Sequence, residues 1–240
     1  MNGWLIKIAW FSGIAIWLSA WFLSRSHTEN LLIKEAHYYL TNPFPGSFIG
    51  AAEGLGFLAE INEDSAGIPR SEINIALLEE STENHPHIAS AEVYSTMSGT
   101  LRLDVKQREA LGRVISGSSS YYLSKNGRQM PTSKYYSADV PLINGVLDEE
   151  DDAFISELLA YCQSDSFYQG YWTGFSVNAK KEWVFKPGPD SFQVLFGTDE
   201  DWQNKLRKLK AWRALPEADR APEQWRVIDL RFKDQIVCKK

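Results

Sequence analysis

Two imidazoles, His85 and His87 on either side of Pro86, are the first place in this 240-residue chain where chemistry could be housed. Two histidine nitrogens make half of a zinc shell, and a tetrahedral site needs two more ligands at matching spacing. The remaining histidines, His27 and His37, belong to an unrelated stretch, so the pair reads as turn or surface histidines. The acids Asp148 to Asp152 suggest calcium only at first sight. A calcium loop alternates its ligands and turns sharply at a glycine, whereas consecutive carboxylates suit the positive end of a helix. Ser118 to Ser120 has no histidine and aspartate nearby to make it a nucleophile. No glycine-rich phosphate loop appears. The expectation is a chain with no metal, no cofactor, no catalytic residue and no small-molecule substrate. Cys162 and Cys238 lie far apart, and spacing leaves open whether they are bridged or free.

With catalysis set aside, the organising stretch is Trp4 to Leu23, WLIKIAWFSGIAIWLSAWFL, whose only charge is Lys7. As a helix it would be about 30 Å long, the thickness of a bilayer's hydrocarbon core. Lys7 can snorkel to the interface, and Trp4 and Trp21 sit where aromatic rings favour headgroups. A cleaved signal peptide would need a small-x-small site, but Phe22, Leu23 and Arg25 occupy that region. The expectation is a retained single-pass anchor over residues 1–24, amino terminus in the cytoplasm and the bulk of the chain outside. Ser12, Gly13, Ala15, Ser19 and Ala20 would admit a neighbouring helix and suit lipid equally well.

The formal charge is -6, which argues against nucleic acid as a partner. From Lys205 to Lys240 there are eleven Lys or Arg against five Asp or Glu, so this tail is +6 and the remainder -12. The tail fits a solvated face, anionic lipid or an acidic partner.

Leu31 to Leu40 is a strand or a helix start, and periodicity does not decide. Pro43 and Pro45 force a break, after which Ser47 can cap a helix running to Ile61. Ser71 to Glu83 reads as a helix with Ile73, Ala76, Leu77 and Glu80 on one side. Thr100 to Lys106 alternates Leu101, Leu103 and Val105 with charged residues, which makes a half-buried strand, and Ala89 to Tyr94 supplies its hairpin partner. This gives a β-α-α-β-β domain over 31–108. A second domain, 109–240, is expected to be mostly antiparallel β with two helices, so the fold class is α+β. Its strands include Leu111 to Ile115 and Tyr121 to Ser124, followed by the Asn126-Gly127 turn, then Tyr171 to Val177, Glu182 to Lys186 and Phe192 to Phe196. Its helices are Asp148 to Cys162, with Phe154, Ile155, Leu158, Leu159 and Cys162 in one stripe, and Asp199 to Leu215. Val227 to Phe232 and Gln235 to Cys238 are its last apolar stretches.

Four motifs then carry a family likeness. The run His85 to Arg108, HPHIASAEVYSTMSGTLRLDVKQR, resembles the second half of the POTRA domain of the bacterial division family FtsQ/DivIB. Tyr121 to Gly127, YYLSKNG, is similar to that family's "Y-L-D-x-x-G" hairpin, and Val140 to Gly145, VPLING, to its "L-P-x-x-x-G". Ile228 to Phe232, IDLRF, resembles its "V-D-L-R-Y". The chain departs from the pattern in ending at Lys239-Lys240 without the family's late aromatic, and in lacking a glycine after the first strand.

The resemblance implies a non-catalytic bitopic scaffold of the divisome, in the inner membrane at the septum, with a POTRA domain and a β domain in the periplasm. It implies small membrane partners similar to FtsB and FtsL, and a partner strand added to the last strands of the β domain. Carried over by motif, the expected partner-binding residues are Arg231, Phe232, Gln235, Ile236, Val237 and Cys238. From the residues alone, the apolar Ile236 to Cys238 flanked by Lys233, Lys239 and Lys240 fits a charge-protected border as well as a docking strand. The competing reading is a POTRA-bearing component of protein translocation or envelope assembly, which the missing barrel pattern disfavours.

Overall fold

The computed structural model describes residues 10, 13–21, 31–41, 45–59, 61, 67–216, 224–233 and 235–240. The chain divides into two compact units, Met1–Asn42 with Ile49–Gln107, and Pro43–Phe48 with Arg108–Lys240.

The expected membrane-spanning helix does not stand. Among the described residues, no helix is long and apolar enough to cross a membrane. Within Trp4 to Leu23 the contiguous described helix covers 13–21, about 14 Å at the helical rise and roughly half of a hydrocarbon core. Residues 1–9, 11–12 and 22–30, and with them most of the anchor expected over 1–24, lie outside the described residues.

The first unit runs β1 (Leu32–Ile33), β2 (Glu35–Thr41), α1 (Ala51–Gly56), β3 (Ile68–Pro69), a 3-10 turn (Arg70–Glu72), α2 (Ile75–Glu83), β4 (Ile88–Ser95) and β5 (Thr100–Gln107). β1 and β3 form a small pair, and a three-stranded sheet has the order β2-β5-β4, with β2 parallel and β4 antiparallel to the central strand. Alternation decides β5: Leu101, Leu103 and Val105 are buried in the core with Ala91, Val93 and Ile88. The β4–β5 turn needs glycine, because Gly99 has φ +88° and a Cβ there would lie 2.6 Å from the carbonyl oxygen of Leu32.

α1 and α2 each begin later than the sequence suggests. α1 starts after Gly50, whose N–H donates to Oε2 of Glu53 at 3.4 Å, rather than at Ser47. α2 starts after Asn74, whose Oδ1 accepts from Leu77 N at 3.1 Å, rather than at Ser71. Its inner face is Ile75, Leu78 and Thr82, while Ala76, Leu77 and Glu80 are exposed.

The second unit runs β6 (Ala110–Ser116), β7 (Ser119–Ser124), β8 (Gln129–Pro131), β9 (Leu142–Asn144), α3 (Glu149–Ser164), β10 (Trp172–Val177), β11 (Trp183–Pro187), β12 (Gln193–Gly197), α4 (Trp202–Arg213), β13 (Val227–Asp229) and β14 (Val237–Lys239). All eleven strands and helices but α3 and α4 belong to one nine-stranded sheet, β14-β13-β12-β11-β10-β9-β6-β7-β8. The expected antiparallel β domain is a mixed sheet: five neighbouring pairs are antiparallel, but β6–β9, β9–β10 and β12–β13 are parallel. The reason is connectivity, since α3 crosses over between β9 and β10, and α4 between β12 and β13, as parallel neighbours require.

The core of this unit lies between sheet and helices. The α3 stripe Phe154, Ile155, Leu158, Leu159 and Cys162 and α4 residues Leu206 and Leu209 bury against Phe175, Trp183, Phe185 and Phe196. Each such ring contributes about 2–3 kcal/mol by leaving water. The acids at the start of α3 have separate tasks. Asp148 accepts from Asp151 N at 2.9 Å as N-cap, Lys181 pairs with Asp148 and Asp151, and Asp152 accepts from Tyr121 Oη at 3.1 Å and Gln129 Nε2 at 2.7 Å. Both cysteines are free thiols.

Candidate functional site

The residues expected to bind a partner lie at one border of the nine-stranded sheet. β14 is its terminal strand, paired antiparallel with β13 in the register Val227 to Lys239, Ile228 to Cys238 and Asp229 to Val237. Among the described residues, no strand pairs with the other side of β14. Ile236 and Cys238 pack against the hydrophobic core beneath the sheet, which fixes the face of the strand. Val237 and Lys239 therefore share the opposite face with Asp229. Phe232 is 44 % exposed, and Gln235 is exposed as well.

The Ile228 to Phe232 motif has a physical basis in a charge clamp. Ile228, Asp229 and Leu230 are each fully buried. The Asp229 carboxylate accepts from Arg231 Nε at 2.9 Å, Arg231 Nη2 at 2.8 Å and Lys239 Nζ at 2.9 Å. It also accepts from the Arg231 backbone N at 3.2 Å. Four donors satisfy a buried anion. Arg231, first, and Lys239 hold its carboxyl well below the usual carboxylate range against the opposing effect of burial. Arg231 also reaches Glu182 at 3.8 Å. Gly197, with φ +77°, makes room for it: a Cβ there would lie 2.8 Å from Arg231 Cγ.

The segment between β13 and β14 is held by a lysine that the sequence reading passed over. Lys208, on α4, donates from Nζ to the carbonyl oxygens of Leu230 at 3.4 Å, Phe232 at 2.5 Å and Lys233 at 3.1 Å. Nothing in the local sequence pairs Lys208 with residues more than twenty positions away; the only signal was the surplus of basic residues in the tail. The arrangement thus joins Arg231, Ile236, Val237 and Cys238 through β13 and the core, and leaves Phe232 and Gln235 facing solvent. Its capability is main-chain pairing along a border beside exposed cationic and aromatic groups.

The paired imidazoles are a structural element. His85 Nδ1 accepts the His87 backbone N–H at 3.3 Å, and His85 Nε2 lies 3.2 Å from Glu53 Oε1. Both ring nitrogens of His85 are thereby engaged. Among the described residues, no group of three or more His, Cys, Asp or Glu could hold a metal ion.

Comparison with known proteins shows the family. A family model described as FtsQ/DivIB, C-terminal related, matches residues 109–239. The cell division protein FtsQ of Rhodothermus marinus is 25 % identical over 210 residues, covering 77 % of this chain and 72 % of that protein. A solved structure, the major extracytoplasmic domain of the trans isomer of the cell division protein DivIB from Geobacillus stearothermophilus, is 16 % identical with a TM-score of 0.33, covering 45 % of this chain and 98 % of that one. With the family match spanning more than half of its length, from the start of β6 to the end of β14, this chain belongs to the FtsQ/DivIB C-terminal-related family of cell-division proteins.

Proposed function

We propose that this protein is a non-catalytic scaffold of the bacterial division machinery, and that β14 takes an added strand from a small division protein similar to FtsB or FtsL. Residues 31–108 serve as a POTRA-like domain and 109–240 as the β domain that receives the partner. The scaffold works at the septum, associated with the inner membrane, with both domains in the periplasm. Family membership supports the division role. The observation that carries the docking site is the place of β14 at the end of the sheet order. A border strand offers unpaired N–H and C=O groups, and a partner strand satisfies them while its side chains read Val237, Phe232 and the neighbouring cations.

The test uses two prolines. N–H groups of neighbouring strand residues point to opposite sides, so of Val237→Pro and Cys238→Pro one removes an outward donor. At least one variant should lose binding to an FtsB-like partner in pull-down while keeping the wild-type near-UV circular dichroism. If both folded variants bind like the wild type, β14 is not the docking strand.

A further inference from the structure

The three-stranded sheet of the first unit also has a border at β4, and this one is occupied from within. Glu79 and Glu83 stand one turn apart on α2 and reach sideways rather than inward. Glu79 Oε1 accepts the backbone N–H of Val93 at 2.7 Å, and Glu83 Oε1 accepts that of Ala91 at 3.0 Å. Ala91 and Val93 are two residues apart on an edge strand, so both N–H groups face away from β5. At the next position along the same side, Ser95 Oγ accepts from Arg70 Nε at 3.3 Å. Two carboxylates that precede β4 in sequence thus occupy the side where another strand would pair, with Arg70 beside them on the Ser95 side chain. The carboxylates sit where carbonyl oxygens of an added strand would sit.

We propose that Glu79 and Glu83 form a gate on the β4 border, which keeps a second copy of this chain from adding its own β4 there. A second copy is the fitting occupant because β4 is complementary to itself in antiparallel pairing. With a two-fold axis at Val93, the Ala91 of one copy meets Ser95 of the other, and Glu92 meets Tyr94. Apolar Val93 pairs with itself on the buried face, and like charges do not oppose each other. Ungated, the strand has the length and pattern of a border prone to intermolecular pairing. The gate concerns a different sheet from β14 and needs no division partner.

The experiment compares the 240-residue chain with its Glu79→Ala/Glu83→Ala and Glu79→Gln/Glu83→Gln variants, in a mild detergent that covers the apolar residues 4–23. In dilute solution the amide protons of Ala91 and Val93 should exchange at least about tenfold faster in the alanine variant than in the wild type. On concentration, sedimentation should show the protein mass of that variant doubling, with those two amides regaining protection. The glutamine variant keeps an acceptor oxygen at each site and should remain monomeric with slow exchange. Should the double alanine variant fail to fold, Glu79→Ala alone frees Val93, the central position of the pair, and should dimerise at higher concentration. An alanine variant that folds and stays monomeric at every concentration overturns the gate, as does unchanged exchange at Ala91 and Val93.

Discussion

Lys239 Nζ lies 2.9 Å from the buried carboxylate of Asp229, so the last strand of the sheet is fastened to its neighbour by a side chain as well as by its backbone. A three-residue border strand has few main-chain bonds with which to hold its place, and the ion pair gives β14 a second attachment. Asp229→Ala is expected to cost about 2–3 kcal/mol, the scale of hydrogen bonds to a charged group, read as a lower urea midpoint. The pH dependence has a definite sign. Because the folded-state pKa of Asp229 is depressed, chiefly by Arg231, its contribution is full above the unfolded carboxylate value of about 4 and fades as pH falls toward the folded value. The stability gap between wild type and Asp229→Asn should therefore shrink progressively below about pH 4. A gap that widens there would contradict the clamp.

Asp152 should behave in the opposite way. The residue is 4 % exposed, and burial raises its pKa despite the hydrogen bonds from Gln129 and Tyr121. A raised carboxyl favours the fold in its protonated form, so that contribution is lost as pH rises past the unfolded value of about 4. Asp152→Asn keeps an acceptor for Tyr121 and should be neutral to stabilising at pH 7, with its melting temperature relative to wild type rising as the pH climbs above about 4. A melting temperature well below wild type at neutral pH would contradict this.

Gly99→Ala tests the turn of the first unit. The residue has φ +88°, and the added methyl would meet the Leu32 carbonyl at 2.6 Å. A loss of about 1–3 kcal/mol is expected from strain, with the β4 and β5 amides losing protection. Gly117→Ala shares a positive φ but has open space around it, and should cost less.

Lys208→Met should loosen the segment leading into β14 without unfolding the unit, because the apolar stem still covers the surface. Amide exchange in Ile236 to Lys239 is expected to quicken about tenfold while global stability falls by less than about 1.5 kcal/mol. If β14 docks the partner, affinity falls with it. Unchanged exchange would show that its carbonyl contacts do not hold the segment.

The two thiols should separate by reactivity. Burial pushes the Cys162 thiol up to about 12, and raises that of the half-buried Cys238 as well. At pH 8 a disulfide reagent should modify Cys238 slowly and leave Cys162 untouched until denaturant is added, when both react. Fewer than two reactive thiols in denaturant without reductant would contradict the free pair.

The local elements were written into the chain. Strict alternation over Leu101 to Val105 leaves no structure but a half-buried strand, and the stripe from Phe154 to Cys162 closes into one helix face. Motif order within the chain pointed to the division family, and the family model bears this out. The helices of the first unit were legible only in part, because Ser47 and Ser71 are as good caps as the residues used. α2 begins after Asn74, and it also carries Glu79 and Glu83 to the β4 border, contacts absent from its hydrophobic pattern.

Tertiary structure alone decided the rest. β9 has three residues, too few to alternate, and becomes a strand because β6 and β10 enclose it in parallel. Sequence could not say that Asp229 is buried, since a carboxylate goes inside only where several donors converge, and those come from Arg231 and from Lys239 ten residues on. Nor could it place β14 at the border, because strand order is set by which edges meet after collapse. A sequence lists what each segment will bury; only the folded chain shows which donors and acceptors remain without a neighbour.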